Sequence, residues 1–421
     1  MNISNNSSNG LSQPTFNIGL VGSVSHGKSS LVKALTGIET FKHSEEKKRG
    51  ITMKIGYANC KIFKCTKCPE PQCYYPTGSR IKTYGCDKCN SDCENISFFS
   101  FIDCPGHESL MSTMLSGTAI MDYAILLIDG SQKCPQQQTI EHLAALEIMG
   151  IKKIIIIQNK LDLVDGNKAS EQLNDIKNFV KNTCAENAPI IPLSAQKKYN
   201  VDVLCEFILK YFGDVQRNVS KPKMNVIRSF DVNKPGADIA AINGGVFGGS
   251  LVTGEFRVGD VVEIRPGIVK KNNNGTIEWK PIRTEIISMK TDLDQITTAN
   301  PGGLIGVCTN LDPSITRSDR MVGHVVGLPE YMPAVHTEIS AKCIFMKNTG
   351  SGTKIIRPNK GDTLMLNISS RAVYGIVKNI PNKGVYILEL KYPCCMDAGE
   401  KFSLSSKFDN CWKLVGMAEL L

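Results

Sequence analysis

The chain has 421 residues, 42% of them hydrophobic and 21% charged, with a formal net charge of +9. This length accommodates two or three domains of ordinary globular composition. It holds no run of eighteen apolar residues for a membrane helix and no apolar segment near its start for a secretory signal, so a cytoplasmic protein without a membrane is expected. The positive balance suits a polyanionic partner such as nucleic acid and equally a merely basic soluble protein.

In chain order, residues 1–14 are Asn- and Ser-rich. They bury too little apolar surface to offset ordering entropy and read as a flexible tail. From Phe16 to Phe212 short apolar runs alternate with helical patterns. Asn17–Val21, Ser97–Ile102, Ala124–Ile128, Ile154–Gln158 and Ile190–Leu193 read as buried strands. Ile140, Leu143, Ala144 and Ile148 mark one face of a helix that Gly150 ends. Strands alternating with helices predict an α/β domain over residues 15–215, with a doubly wound, mostly parallel sheet. After Pro222 helical periodicity gives way to glycine-punctuated strands. Two β-barrel domains are expected, 222–326 and 327–421, divided near Gly327. Ser250–Ile264 is expected to form a hairpin turning at Thr253-Gly254. No repeat of a solenoid or propeller period is present.

Gly22-Ser23-Val24-Ser25-His26-Gly27-Lys28-Ser29, with Ser30 behind it, follows the first strand and opens a helix over about Lys28 to Leu35. This is the context of a phosphate-binding loop. Glycines let backbone N–H groups crowd around phosphate oxygens, and the helix N-terminus adds a favourable dipole. Lys28 is expected at the β- and γ-phosphates and Ser29 on Mg²⁺. Asp103 follows the next strand and can hold Mg²⁺ through water, while the Gly106 N–H can sense the γ-phosphate. Thr52, between these segments, can complete the metal shell through its hydroxyl and carbonyl, in a loop that relaxes after hydrolysis. The charged run Glu45–Arg49 reads as a solvated face of that loop. Asp162, in Asn159-Lys160-Leu161-Asp162, can accept hydrogen bonds from guanine N1–H and the 2-amino group. Adenine lacks that donor pair, so GTP and GDP are expected rather than adenine nucleotides. Asn159 would bridge base and phosphate loop, Lys160 would lay its stem on the ring, and the Ser194, Ala195, Gln196 segment would present a backbone N–H to guanine O6.

Among the sixteen cysteines, reduced thiols and a metal are expected rather than disulfides. Cys65, Cys68, Cys86 and Cys89 form CxxC-x17-CxxC, a spacing suited to a tetrahedral Cys₄ zinc knuckle within residues 60–95. Cys73 and Cys93 are near enough to substitute for one ligand. Four thiolates leave no open position, so Zn²⁺ here would be structural, holding together an insertion too polar to fold alone. The fold class is therefore α/β: a P-loop GTPase domain with a zinc-knuckle insertion, followed by two β-barrels.

These motifs, in this order, resemble the family of gamma subunits of eukaryotic and archaeal translation initiation factor two. Arg49–Lys64 (RGITMKIGYANCKIFK) resembles that family's first switch. Asp103–Leu115, Gln136–Gly150, Ile157–Val164 and Ile190–Asn200 continue the likeness. So do Val226–Gly236 (VIRSFDVNKPG), Gly244–Ser250, Arg265–Val269, Asn300–Val307 and Asp319–Gly323. The resemblance is dense over about 15–330 and looser beyond. Elongation factor Tu shares the nucleotide motifs and lacks the zinc insertion and the VIRSFDVNKPG segment. The resemblance implies GTP hydrolysis, slow without an activating protein, with a separate exchange factor. It also implies alpha and beta subunits and delivery of methionylated initiator tRNA to the small ribosomal subunit. It puts catalytic His107 beside the attacking water, with Val24 and Ile51 as an apolar gate, although a histidine resting away from the nucleotide is the alternative. It puts Tyr57 near the tRNA acceptor end, where the ring either stacks on the terminal adenine or is a packed strand tyrosine. Ser23 and Ser25 depart from the family's usual phosphate loop, and 327–360 diverges.

Overall fold

The computed structural model describes residues 12–40, 46, 52–213, 215, 217, 221–234, 236, 238, 242–272, 277–292, 294–348, 352–408 and 411–421. Most of the expected tail, and Ile51 of the expected gate, lie outside the described residues.

The first domain is built on β1 (Asn17–Val21), β2 (Gly56–Cys65), β3 (Tyr74–Gly78), β4 (Tyr84–Gly85), β5 (Asp92–Asp103), β6 (Tyr123–Asp129), β7 (Ile154–Asn159) and β8 (Ile190–Pro192). The sheet order is β3-β2-β5-β1-β6-β7-β8, with β4 on β5. The five strands from β5 to β8 are parallel, while β2 and β3 continue the sheet antiparallel. Alternation sends side chains to two cores. Ile18, Leu20, Ile125, Leu127, Ile155 and Ile157 join one, and Val21, Leu126, Ile128, Ile154 and Ile156 the other. Burial on both faces turns these strands into continuous apolar runs, which is why they are legible in the sequence.

Among the described residues five helices cover the sheet: α1 (Lys28–Thr36), α2 (Met111–Thr118), α3 (Gln137–Ile148), α4 (Gly166–Val180) and α5 (Val201–Phe207). Helix α1 buries Leu31, Val32 and Leu35 and ends at Gly37, whose φ is +71° and whose N–H reaches Lys33 O. Helix α3 is rotated from the face expected for it. Ile140 and Ala144 are only half-buried, whereas Thr139, Glu141, His142, Ala145 and Leu146 are buried. Apolar spacing misses this because α3 packs on the sheet, the phosphate loop and the third domain at once. Gly150 follows it with φ +74°, as a chain reversal there requires.

The second domain is a ring of β9 (Lys223–Phe230), β10 (Val246–Thr253), β12 (Val261–Lys271), β13 (Ile277–Thr291), β16 (Ile305–Thr309) and β17 (Val325–Gly327). The order β12-β17-β9-β10-β16-β13 closes through the β12–β13 pairing. The short strands β11 (Phe256–Arg257), β14 (Asp294–Ile296) and β15 (Thr298–Ala299) lie off the ring. The hairpin expected over Ser250–Ile264 does not form. Gly254 makes the turn, with φ +70° against the backbone of Pro222, but β10 pairs with β9 and β16 and β12 with β13 and β17. Period-two alternation reports which face is buried, not which neighbour takes the hydrogen bonds.

The third domain is a closed barrel of β18 (Ala334–Phe345), β19 (Thr363–Ile368), β20 (Arg371–Asn382), β21 (Val385–Met396), β22 (Lys401–Phe408) and β23 (Cys411–Leu420), in the order β18-β21-β20-β19-β22-β23.

Contacts tie the domains together. Ile227 of β9 and Leu414 of β23 belong to the same apolar cluster as α2 and α3. Asn367 Nδ2 donates to Ser112 O of α2 at 2.9 Å, and Lys223 Nζ pairs with Asp397 at 3.2 Å and with Glu400. Residues 12–14, the described end of the expected tail, lie along the second domain, where Gln13 Nε2 donates to Asn300 O at 2.6 Å and Gly302 O at 2.9 Å. No helix among the described residues is long and apolar enough to cross a membrane.

Candidate functional site

The phosphate loop sits at the C-terminal edge of β1, where a doubly wound sheet opens its crevice. Its path uses left-handed backbone at Ser25 (φ +64°) and Gly27 (φ +94°). A Cβ on Gly27 would lie 2.2 Å from Asn159 Nδ2, so only glycine brings the loop this close to the guanine-side segment. Lys28 Nζ is buried and donates to Gly22 O at 2.6 Å and Ser23 O at 2.8 Å. Burial lowers the Lys28 pKa to about 8, against the opposing pull of Asp103. Gly106 rests on this loop. A Cβ there would fall 2.5 Å from Lys28 Nζ and 2.7 Å from Gly22 O.

Helix α3 and the residue before it brace the loop from behind, a role that sequence reasoning missed. The Gly22 N–H donates to His142 Nδ1 at 3.1 Å, Ser23 Oγ meets Thr139 Oγ1 at 3.1 Å, and the Val24 N–H donates to Gln138 Oε1 at 3.2 Å. His26 points away from the loop cavity, between Leu127 O at 3.0 Å and Gln136 Oε1 at 3.1 Å. Burial drives the His142 pKa down to about 3, so its Nδ1 stays a neutral acceptor for the loop. The signal was the polar run Gln136–Thr139 ahead of His142 on an otherwise apolar helix.

Ser29, Thr52 and Asp103 are brought together. Ser29 Oγ donates to Asp103 Oδ2 at 2.6 Å and lies 3.2 Å from Thr52 Oγ1. Thr40, absent from the sequence reading, also donates to Asp103 Oδ2 at 2.6 Å. Asp103 Oδ1 is buried without a partner among the described residues, and burial raises the Asp103 pKa despite Ser29, Thr40 and Lys28. A carboxylate with such a buried oxygen, beside the Ser29, Thr52 and Thr40 hydroxyls, fits a hard divalent cation such as Mg²⁺. Of the charged run Glu45–Arg49, expected as a solvated face, only Glu46 is among the described residues, and it departs from that reading. It is buried and accepts the N–H groups of Met53 and Lys54 at 3.0 Å each, pinning the loop that carries Thr52.

At the guanine end Asn159 Nδ2 donates to His26 O at 2.9 Å, joining this segment to the phosphate loop. Ser194 Oγ donates to Asp162 Oδ1 at 2.5 Å and holds that carboxylate. Lys160 adopts φ +62° and pairs with Asp129 at 2.7 Å, which fixes its stem. The Ala195 N–H is engaged by Asn159 Oδ1 at 3.1 Å, while Gln196 is exposed beside it. His107 is exposed, and its Nδ1 lies 2.9 Å from Ser109 Oγ and accepts the Ser109 N–H at 3.3 Å, capping the turn Glu108–Leu110. Val24, within the loop, is half-buried.

Cys65, Cys68, Cys86 and Cys89 converge, with all four sulfurs within 4.8 Å of one another. Their separations include 3.4 Å for Cys65–Cys89, 3.5 Å for Cys68–Cys86 and 3.8 Å for Cys68–Cys89. Zn–S bonds in a tetrahedron put sulfurs about 3.8 Å apart. The Tyr75 hydroxyl, 3.1 Å from Cys86 Sγ, draws that thiol down to about 5, while its bond to Cys86 pushes Cys68 up to about 12. Sulfurs this crowded become thiolates together only around a cation, so the set fits Zn²⁺. Cys73 is not among the converging sulfurs and Cys93 Sγ faces Ser91 O, so neither belongs to the four. The insertion is not wholly polar: Cys65, Cys73, Tyr74 and Cys86 extend the domain's own core into it.

Tyr57 of β2 lines a cavity of about 660 Å³ between the first and second domains, with Ile81, Ile227, Arg228, Phe230 and Leu304. Its hydroxyl is buried without a partner among the described residues.

The family described as Elongation factor Tu GTP binding domain matches residues 13–214, and Initiation factor eIF2 gamma, C terminal, matches 337–420. The chain is 45% identical to the eukaryotic translation initiation factor 2 subunit gamma of Schizosaccharomyces pombe, covering 97% of this chain and 94% of that protein. It is 46% identical to the translation initiation factor 2 subunit gamma of Methanocaldococcus jannaschii, covering 96% and 97%. Among solved structures, a bacterial selenocysteine-specific elongation factor EF-Sec superposes with a TM-score of 0.72 at 24% identity, covering 97% of this chain and 58% of that one. Elongation factor SelB of Methanococcus maripaludis superposes at 0.70 and 19%, covering 97% and 79%, so these two share the fold. The near full-length identity at 45–46%, on a chain that carries the loop, the guanine segment and the four-cysteine cluster, establishes that it belongs to the gamma-subunit family of translation initiation factor 2.

Proposed function

We propose that the chain is a GTP-dependent translation initiation subunit that binds GTP with Mg²⁺ and methionylated initiator tRNA. It releases that tRNA on the small ribosomal subunit after hydrolysis to GDP. The observation that carries this reading is the convergence of the phosphate loop, the Ser29–Thr52–Asp103 cluster and the Asn159–Asp162 segment in one crevice, in a chain whose relatives are named as initiation factor subunits. Lys28 holds the β- and γ-phosphates, Ser29, Thr52 and Asp103 hold Mg²⁺, which supplies charge neutralisation at the phosphates, and Asp162 selects guanine. The Gln196 N–H is better placed than that of Ala195 to meet guanine O6, since Asn159 occupies the latter. His107 orients the attacking water after an activating protein turns it from Ser109. Zn²⁺ on the four cysteines is structural. Tyr57 and the interdomain cavity take the aminoacylated end of the tRNA. Alpha and beta subunits and an exchange factor complete the cycle.

A second reading, a GTP-dependent scaffold that does not hydrolyse, draws on the outward His107. Phosphate release under an activating protein separates the two. The decisive measurement is binding of methionylated initiator tRNA with a GTP analogue against GDP at fixed salt, with elongator methionine tRNA as control. Tighter initiator binding in the GTP state is expected. Equal binding in both states, or preference for the elongator, removes the initiation role.

A further inference from the structure

Asp319 lies where the three domains meet. Its Oδ1 accepts hydrogen bonds from Arg228 Nε at 3.1 Å and from the Ser229 N–H at 3.0 Å, and its Oδ2 lies 3.6 Å from Lys54 Nζ. Lys54 stands two residues beyond Thr52, on the loop that reaches the Ser29–Asp103 cluster, and Glu46 holds the Lys54 backbone there. Arg228 lines two cavities. One is the interdomain cavity with Tyr57. The other, about 330 Å³, is bounded by Lys54 of the switch loop, Ser112 and Ser116 of α2, Asp319 and Arg371. A single carboxylate thus touches the metal-side loop through Lys54 and the Tyr57 cavity through Arg228.

The backbone that presents it is unusual. Ser318 and Asp319 are consecutive left-handed residues, with φ of +58° and +59°, and neither is glycine. Side-chain-bearing residues enter that region at a cost, and two in succession persist only where their surroundings over-determine them. The Ser229 N–H and Arg228, both on Asp319 Oδ1, supply that determination and leave Oδ2 on the side of Lys54.

We propose that Asp319 is a positioning residue that couples the loop bearing Thr52 to the wall of the tRNA-end cavity. This rests on the reading of that cavity given above. With Thr52 held at the Ser29–Asp103 cluster, Lys54 stays on Asp319 and Arg228 keeps its orientation in the cavity. When the loop leaves, Asp319 loses Lys54 and keeps Arg228, so the carboxylate and Arg228 turn together without the tether to the loop.

The test uses the full chain with Lys54→Ala, Asp319→Asn and the double variant, reading two quantities. The first needs no tRNA: the ratio of GDP to GTP-analogue dissociation constants with Mg²⁺, together with hydrogen exchange over residues 52–58. An exposed ion pair is worth a roughly two- to fivefold change, so each single variant is expected to shift the ratio that far toward GDP and to speed exchange. The double variant is expected to be no worse than the worse single. The second is initiator tRNA affinity, where Asp319→Asn is expected to shrink the gap between GTP-analogue and GDP states. Additive single effects, or an unchanged ratio and unchanged exchange in folded variants, overturn the coupling. Weaker tRNA binding with an unchanged ratio also overturns it, because Asp319 then acts on the cavity alone. If the unaltered chain shows no nucleotide-dependent tRNA binding, the cavity reading fails, and the ratio and exchange still decide whether Asp319 holds the loop.

Discussion

Lys28 carries the sharpest pH consequence. Its pKa in the nucleotide-free chain lies near 8 because burial disfavours the ammonium. Phosphate oxygens favour the protonated form and raise that pKa, so binding takes up a proton above pH 8 and affinity falls as pH rises. Between about pH 7 and 8.8 the GTP dissociation constant should rise about sevenfold, as the fraction of protonated Lys28 in the free chain drops. Lys28→Arg, which stays charged, should flatten the profile, and a steep profile in that variant assigns the dependence elsewhere. Asp162→Ala should weaken GTP by roughly 10²-fold, two charge-assisted hydrogen bonds being lost at about 1.5 kcal/mol each, while leaving ATP binding as poor as before. Competition binding with both nucleotides reads this directly. Lys28 and Asp162 were legible because their motifs are local. His142 and Thr40 were not, since each reaches the site across many intervening residues, and Glu46 was not because it stands in a charged run that reads as solvent-facing.

Two elements decide how the site is held. Helix α3 offers Gln138, Thr139 and His142 to the phosphate loop on one side and packs against β23 on another. His142→Ala should leave the Gly22 N–H unpartnered in a buried setting, at about 1–3 kcal/mol. Nucleotide affinity should therefore fall by roughly tenfold or more with the fold intact by circular dichroism. Unchanged affinity would mean that the loop holds its shape without the helix. The zinc knuckle is the second such element. Because Cys65 and Cys86 are part of the domain core, removal of the metal should lower the melting temperature of the whole first domain rather than release a local loop. Cys86→Ser should lose the metal by atomic emission and show the same shift. Retention of one zinc per chain in that variant would return Cys73 or Cys93 to the ligand set.

The three domains act together through polar contacts that no motif announces. Asn367 reaches the backbone of α2, Lys223 pairs with Asp397 and Glu400, and Lys54 and Arg228 share Asp319. The net charge of +9 predicts that tRNA affinity falls steeply with salt. The slope of log affinity against log salt should be near −0.7 to −0.9 per phosphate contacted. Titrations from low to physiological salt measure it, and a flat response would place the binding energy in the apolar cavity instead.

Sequence alone was enough for the alternation of apolar strands and helices in the first domain, the order of the nucleotide segments and the cysteine spacing. Each is a short-range pattern in which backbone geometry and side-chain chemistry coincide within a few residues. That Cys73 and Cys93 stay out of the four-cysteine cluster, the absence of a Ser250–Ile264 hairpin and the meeting of Asp319 with Lys54 came only with the folded chain. Which sulfurs converge, which strands exchange hydrogen bonds and which charges meet are settled by barrel closure and domain packing. Those bring together residues far apart in sequence, and no local periodicity encodes them.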